Sequence, residues 1–339
     1  MIYADQRWIG NHGIGRFARH VLAGLEYGPV PLASHPAAAL DSVRLTRALR
    51  NLGSSDLFFS PGYNAPLFCR APFIFTIHDL IHIHSPESSK PQLQLYYATV
   101  MKRACRRAAR ILTVSEFTRK EIIDWSGVPL EKVENVGNGI DPTYRPVGVS
   151  YGLPFPYLLT VSNRKPHKNE LRIVQAFAKA DLDSRLHLAF TGQPTLELTE
   201  WIEKQGVTAR VEFLGTVPEE MLPSVYRGAE ALIFPSLYEG FGLPIVEAMA
   251  CGTPVVTSNV TAMPETAGDA ALLVDPRSVE QITKAVEQVV GDRPLRQKLK
   301  ERGIARTARL RWESTSCRVG QLLAERCSSR TPNVRGLRS

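Results

Sequence analysis

The 339-residue chain lacks long apolar runs, paired cysteines and an apolar N-terminal segment. No stretch approaches the roughly 18 apolar residues that span a bilayer, and residues 1–7 contain no run of signal-peptide length. The 5 cysteines are scattered without a C-x-x-C motif, which argues against a disulfide framework and against a zinc site. We therefore expect a soluble, cytoplasmic globular protein with two domains of ordinary size.

Charge is distributed unevenly along the chain. The net charge is +5 over residues 1–150, −7 over 151–292 and +10 over 293–339. Two interpretations of the basic regions are left. They bind an anionic membrane surface, or they are solvated helical faces that end in a basic, disordered tail at 328–339. Nucleic acid is not expected, because no basic stretch is interleaved with exposed aromatic residues.

Short apolar strands alternate with helices along both parts of the chain, which favours doubly wound α/β sheets with parallel strands. Strands are predicted at 3–9, 56–60, 73–77, 111–115, 132–136, 157–161, 186–191, 210–214, 231–234, 254–257 and 271–274. Helices are predicted at 17–25, 92–110, 116–125, 169–180, 195–205, 219–226, 243–250, 279–290, 295–317 and 316–326. Four prolines within 141–156 indicate a linker.

The most informative segment is 235–256, which reads P-S-L-Y-E-G-F-G-L-P-I-V-E-A-M-A-C-G-T-P-V-V. It predicts a strand, a glycine turn, a helix with Pro244 in its first turn, and another strand. Unpaired N–H groups at the start of that helix form an anion site, with Glu239 before it and Glu247 on the helix behind it. A ligand that carries both phosphate and hydroxyl groups fits this layout.

This segment resembles the signature of family 4 glycosyltransferases, which are retaining enzymes of the GT-B fold. The resemblance implies a Rossmann-like acceptor-side domain at 1–146 and a nucleotide-sugar-binding domain at 147–311, facing across a cleft. A helix at 312–327 is expected to pack back toward the first domain. The implied reaction transfers a hexose from a nucleotide sugar without metal or other cofactor, and the leaving phosphate takes the acceptor proton.

The resemblance also assigns roles to residues of the second domain. In the loop N-R-K-P-H-K-N at 163–169, Lys168 and Arg164 are expected to act on the donor diphosphate, with Lys165 beside them. Glu239 is expected to reach the donor sugar, and Glu247 to accept the ribose hydroxyls. Further donor contacts are expected from the amides of Phe241, Gly242 and Leu243 and from Val217, in a loop that frames the base.

In the first domain the turn Gly13-Ile-Gly15 precedes a helix and is expected to approach a donor phosphate, although the family usually has adjacent glycines there. His78, in T-I-H-D, is expected close to the donor sugar. The cleft is expected to include Asp79, Ser115 and Asn138.

Two other motifs are interpreted as structural. The D-x-D at 181–183 follows a helix and is interpreted as surface, and Cys251, which lacks a partnered base nearby, as a packed residue. The loop at 165–169 resembles bacterial mannosyltransferases of polysaccharide assembly, which favours GDP-mannose and a lipid-linked saccharide acceptor at the inner membrane face. A UDP-sugar donor, a nucleotide-sugar-binding protein and an epimerase remain alternatives.

Overall fold

Two parallel six-stranded sheets organise the protein. The computed structural model describes residues 1–38, 40–84 and 91–328, so the predicted tail beyond residue 328 lies outside the described residues. We call residues 1–140 the N-terminal half and residues 141–311 the C-terminal half. Each sheet has helices on both faces, as expected for doubly wound units.

The sheet of the N-terminal half has the strand order 2-1-3-4-5-6. Its strands are β1 (Ile2–Ala4), β2 (Gly28–Pro29), β3 (Leu57–Ser60), β4 (Phe73–Thr76), β5 (Arg110–Thr113) and β6 (Val133–Asn135). Its helices are α1 (Gly13–Ala23), α2 (Asp41–Ala48), α3 (Ile81–His84), α4 (Pro91–Tyr96), α5 (Lys102–Arg107) and α6 (Glu116–Ser126). β3 and β4 are buried on both faces, which explains their continuous apolar runs.

The sheet of the C-terminal half has the strand order 12-11-10-7-8-9. Its strands are β7 (Tyr157–Thr160), β8 (His187–Phe190), β9 (Val211–Phe213), β10 (Ala231–Phe234), β11 (Val255–Ser258) and β12 (Leu272–Val274). Its helices are α7 (Glu170–Lys179), α8 (Leu196–Lys204), α9 (Leu222–Gly228), α10 (Leu243–Ala250), α11 (Met263–Ala267), α12 (Val279–Gly291) and α13 (Arg293–Thr307).

The last helix, α14 (Trp312–Ser328), returns to the N-terminal half. Its buried side chains, among them Trp312 and Val319, join the core formed by α1 and β1. The return point is tight, because a Cβ atom on Gly139 would lie 2.2 Å from the backbone nitrogen of Trp312. The chain therefore crosses between the halves twice at nearly the same place, at residues 140 and 311.

Several predicted boundaries were wrong. The first strand ends at Ala4, because Asp5 accepts a hydrogen bond from the Arg7 amide and begins a 3₁₀ turn instead. The first helix begins at Gly13 rather than at residue 17. The helix predicted at 92–110 is divided by a π-helical turn, Tyr97–Met101, which buries both of its end residues. The helices predicted at 295–317 and 316–326 are instead α13 and α14, separated at 308–311, and α2 was not predicted.

Among the residues that the structure describes, no helix has both the length and the apolar character that crossing a membrane requires.

Candidate functional site

The carboxyl ends of the two sheets face each other, and the segment between β10 and α10 lies against the N-terminal half. A Cβ atom on Gly240 would lie 2.0 Å from the carbonyl oxygen of His78, so only glycine fits at this contact. The Gly240 carbonyl accepts hydrogen bonds from the hydroxyl groups of Ser115, at 2.6 Å, and Thr118, at 3.2 Å. The predicted cleft residue Ser115 therefore holds the two halves together.

Glu239 and Lys168 meet in the cleft as an ion pair. The Nζ atom of Lys168 lies 2.7 Å from Oε1 of Glu239 and 4.7 Å from the centre of the Phe234 ring. The Lys168 loop is held by Asn169, whose amide donates to the carbonyl oxygens of Pro235 and Pro276. Since neither charged side chain is more than 15% exposed, their geometry is well defined.

Glu247 is 2% exposed and both of its carboxylate oxygens have protein partners. Oε1 accepts from NH1 of Arg16 at 2.5 Å, and Oε2 accepts from the hydroxyl group of Tyr226 at 2.8 Å. Burial alone would lower the pKa of Arg16, but the Glu247 carboxylate, together with the neighbouring Tyr144 and Tyr226, raises it. The ion pair connects α1 to α10, so a residue of the N-terminal half contacts Glu247, the residue predicted to bind the ribose.

Sequence reasoning missed Arg16. The sequence feature that could have indicated it is its position directly after the Gly13-Ile-Gly15 turn, which forms the first turn of α1. Arg19, one turn later, faces Glu219 of the opposite half at 3.5 Å. The positive face of α1 thus meets carboxylates of the C-terminal half.

The two glycines at the start of α1 have different surroundings. A Cβ atom on Gly15 would lie 2.5 Å from the carbonyl oxygen of Gly10, and its amide donates to Nδ1 of His12 at 3.0 Å. The packing of its own turn therefore requires glycine at position 15 whether or not a phosphate binds there, and the phosphate contact stays a prediction. Gly13 faces the cleft, where a Cβ atom would lie 3.5 Å from Leu243.

Arg164 does not have the free guanidinium that the predicted role requires. Its Nε and NH2 groups donate to backbone carbonyl oxygens of residues 191–193, and NH1 pairs with Glu170. Its guanidinium also lies over the rings of Phe190 and Phe213, at 5.4 and 5.3 Å. In this arrangement at most one of its five N–H groups is left for a diphosphate, and the role of Arg164 there stays a prediction.

Lys165 is the cation that stays available. Its side chain is exposed, and its ammonium group has no hydrogen-bond or ion-pair partner among residues 1–38, 40–84 and 91–328. Its charge reaches both sides of the cleft. Burial and then neighbouring cations, Lys165 among them, lower the pKa of His12, and Lys165 opposes the rise that burial causes in the pKa of Asp79.

His78 is a neutral imidazole at physiological pH. Burial lowers its pKa to about 4, although the bond to a carbonyl oxygen acts in the other direction. Its Nε2–H donates to the carbonyl oxygen of Pro61 at 2.9 Å, which leaves Nδ1 as an acceptor. The ring packs edge-on against Phe17 at 4.9 Å. Asp79 accepts from the Ile81 amide at 3.1 Å and so shapes the loop after β4.

The other predicted residues lie at the margins of the cleft. Asn138 is 7% exposed, and its Oδ1 atom has no hydrogen-bond partner in the described part of the chain. Phe241 packs against the core of the N-terminal half, and its carbonyl oxygen accepts from the Thr266 hydroxyl at 2.6 Å. Gly242 has a φ of 92° and precedes α10, and Val217 packs against the core of the C-terminal half.

Cys251 and the D-x-D motif at 181–183, both interpreted above as structural, lie in surroundings that fit that interpretation. Cys251 is 3% exposed, and burial raises the pKa of its thiol to about 12, so it is not a nucleophile at neutral pH. Asp183 is an exposed carboxylate paired with Arg185 at 2.7 Å. Within the described residues, no group of three or more His, Cys, Asp and Glu side chains is arranged to hold a metal ion.

Comparisons with known proteins agree with this architecture. The model of "Glycosyltransferase Family 4" matches residues 9–144, and that of "Glycosyl transferases group 1" matches residues 153–306. O-antigen chain mannosyltransferase B of Escherichia coli is 33% identical over 71% of this chain and 67% of its own length. The serotype-specific mannosyltransferase WbdA of Escherichia coli is 28% identical over 70% of this chain, which spans only 32% of WbdA.

Solved structures share the fold at low identity. Sucrose-phosphate synthase from Thermosynechococcus elongatus superposes with a TM-score of 0.76 at 19% identity, over 96% of this chain and 98% of that chain. Anabaena Alr3699/HepE, solved in complex with UDP and glucose, gives a TM-score of 0.75 at 18% identity, over 96% and 99% of the two chains. The predicted GT-B fold is confirmed, and the chain belongs to the group 1 glycosyltransferases with a family 4 N-terminal region.

Proposed function

We propose that the protein is a retaining, metal-independent hexosyltransferase that moves mannose from GDP-mannose onto a saccharide acceptor. The observation that carries this proposal is the Glu239–Lys168 pair, which lies beside the start of α10 and has Lys165 free nearby. The helix start and the two lysines supply positive charge for a diphosphate, and Glu239 supplies an acceptor for sugar hydroxyls.

The proposed reaction breaks the bond between sugar C1 and the diphosphate oxygen and forms a bond between C1 and the acceptor oxygen on the same face. The acceptor proton passes to the leaving diphosphate. Lys168, Lys165 and the amides at the start of α10 stabilise the negative charge that develops there. His78 supports this route, because a neutral ring with Nε2–H bound to Pro61 acts as a fixed acceptor beside the sugar rather than as an acid.

Glu247 is proposed to bind the donor ribose without losing Arg16. A carboxylate offers about four lone-pair sites, and Arg16 and Tyr226 occupy two of them. Two sites remain for vicinal ribose hydroxyls. Because Glu247 is 2% exposed in this arrangement, the halves must separate before a donor enters and must close again over it.

The mannosyltransferase relatives support mannose as the donor sugar and a polysaccharide acceptor. The HepE structure, with bound UDP, supports a UDP-sugar as the alternative donor. An acceptor that is lipid-linked would require the protein to work at the inner membrane face, where the basic N-terminal half would find anionic lipid.

A thermal-shift panel tests the donor. GDP-mannose, UDP-glucose, ADP-glucose and the free nucleotides are added to the purified protein, since a ligand of the native state raises the melting temperature. We expect a rise with GDP and GDP-mannose only. A rise with UDP compounds instead would replace the donor, and no rise with any of them would overturn the assignment.

Product analysis tests the reaction. With donor and an oligosaccharide acceptor, we expect an α-linked product formed at the same rate with and without EDTA. Conversion of the donor sugar without an acceptor would indicate an epimerase. Tight donor binding without any product would favour a nucleotide-sugar-binding protein.

A further inference from the structure

A basic cavity lies on the side of the N-terminal half away from the cleft. Its volume is about 430 Å³, and four cationic side chains line it, Arg70, Arg107, Lys132 and Arg326, with no Asp or Glu in the lining. Phe73 and Ala109, which also line it, stand at the amino ends of β4 and β5. His78 and Ser115 follow the carboxyl ends of the same strands, so this cavity is separate from the candidate active site.

Three of the four cations that line this cavity have no carboxylate partner in the described part of the chain. Among the described residues, neither Arg70 nor Arg107 nor Lys132 forms an ion pair with an acidic side chain. Arg107 donates to the carbonyl oxygen of Leu67 at 2.6 Å, and Lys132 to that of Arg106 at 2.5 Å. Uncompensated cations that converge on a concave surface favour an oxyanion, and arginine favours the paired oxygens of phosphate.

An apolar tip adjoins the cavity. Leu67 is 40% exposed and Phe68 is 57% exposed, and the Arg107 guanidinium lies 5.1 Å from the centre of the Phe68 ring. The tip is held in place, because the amides of both residues donate to the hydroxyl oxygen of Thr46 on α2, at 2.8 and 3.2 Å. Beside this anchor, α2 exposes the apolar side chain of Val43.

We propose that this surface, the cavity together with the Leu67–Phe68 tip, docks on an anionic phospholipid membrane. The cavity takes the phosphate of a lipid headgroup, and the Phe68 ring enters the interfacial layer, where aromatic rings are favoured. The apolar tip argues for a lipid rather than a soluble phosphate, since a soluble ligand gives an exposed Phe nothing to contact. The proposal rests on the proposed function in one respect, the reason for docking, which is to hold the enzyme beside a lipid-linked acceptor.

The sequence of residues 329–339 gives no reason to expect that this segment occupies the cavity. Residues 329–339 contain three arginines and no acidic residue, so their charge is of the same sign as the lining. Their sequence adds to the attraction toward an anionic surface.

The test is cosedimentation of the full chain with vesicles of phosphatidylcholine, with and without phosphatidylglycerol. We expect binding only to the anionic vesicles. The double variant Arg70→Glu/Arg107→Glu should bind at least about tenfold more weakly, because each cation near such a surface contributes substantially. Phe68→Ser should weaken binding severalfold, and its loss should persist when salt screens the charges.

The matched control is Arg293→Glu/Lys298→Glu, which makes the same change in net charge at two exposed positions of α13. It should bind vesicles as the wild type does. Equal loss in this control would show a nonspecific charge effect and would overturn the proposal. Arg70→Glu alone serves if the double variant has a lower melting temperature, because Arg70 is exposed and has no described partner.

Two further arms separate the outcomes. Soluble glycerophosphate should compete only weakly with vesicles; strong stabilisation by glycerophosphate without vesicle binding would make the cavity a site for soluble phosphate and overturn the membrane assignment. Donor binding in solution should be unchanged in Arg70→Glu/Arg107→Glu. Vesicle binding can thus fail while donor binding persists, which distinguishes failure of this proposal from failure of the proposed function.

Discussion

The two halves have six-stranded parallel sheets with related strand orders, but they bring different chemistry to the cleft. The C-terminal half places a carboxylate and a lysine there as a pair, Glu239 and Lys168. The N-terminal half contributes the glycine turn before α1, the neutral His78, and Arg16, which crosses to Glu247. The shared architecture therefore sets the position of the cleft, while the residues that follow each strand determine which chemical groups line it.

The largest expected effect concerns the ion pair between the halves. Arg16→Ala leaves the buried carboxylate of Glu247 without its cation, so we expect the free energy of unfolding in urea to fall by about 3–5 kcal/mol. Arg19→Ala is the control, because Arg19 is 41% exposed and lies 3.5 Å from Glu219, and its loss should cost less than about 1 kcal/mol. Equal effects of the two variants would mean that the halves do not meet at Glu247 in solution.

The next effect is catalytic and belongs to the C-terminal half. Lys168→Ala removes a cation that would stabilise the leaving diphosphate, so we expect the transfer rate to fall about 10²–10³-fold. The control is Lys179→Ala, which removes an exposed lysine at the end of α7. If folded Lys168→Ala transfers sugar at the same rate as Lys179→Ala, Lys168 has no role in the mechanism.

One histidine in each half should make stability depend on pH. Burial lowers the pKa of both His78 and His167 to about 4, from an ordinary 6.5. Below pH 6.5 the unfolded chain binds more protons, so stability present above pH 6.5 is lost as pH falls toward 4, by about 3 kcal/mol per histidine.

Urea unfolding of His167→Asn between pH 6.5 and 4 checks this expectation. Removing His167 should reduce the slope of the unfolding free energy by up to about 1.4 kcal/mol per pH unit. An unchanged slope in His167→Asn would show that this imidazole titrates normally in the folded protein.

The smallest effect separates two neighbouring cations of one loop. Lys165→Ala should weaken GDP-mannose binding about tenfold with no change in melting temperature, because one exposed charge near the diphosphate is lost. Arg164→Ala should lower the melting temperature and leave GDP-mannose binding unchanged, since the Arg164 guanidinium contacts Glu170 and three backbone carbonyl oxygens. The pair of variants is compared by calorimetric titration and thermal melting; a weaker donor affinity in Arg164→Ala alone would restore the role first predicted for it.

The sequence predicted the α/β alternation, the glycine turn at 240–242 and the placement of Glu239 before α10, because strand and helix periods and Gly–Pro punctuation are local properties. It failed at boundaries where tertiary packing intervenes, as at the π-helical turn that buries Tyr97 and Met101. It did not show that Arg164 contacts Glu170 and three backbone carbonyl oxygens, because a basic loop reveals its cations without revealing the partner of each one.

By itself, then, the order of residues determined the fold class, the edge of each sheet that carries chemistry, and the family. Only the tertiary structure decided that Arg16 pairs with Glu247 across 231 positions of chain, that Lys165 rather than Arg164 keeps a free charge, and that four cations converge at residues 70–132 and 326. The physical reason is that these properties depend on distances between elements remote in sequence, and on burial that no single element contains.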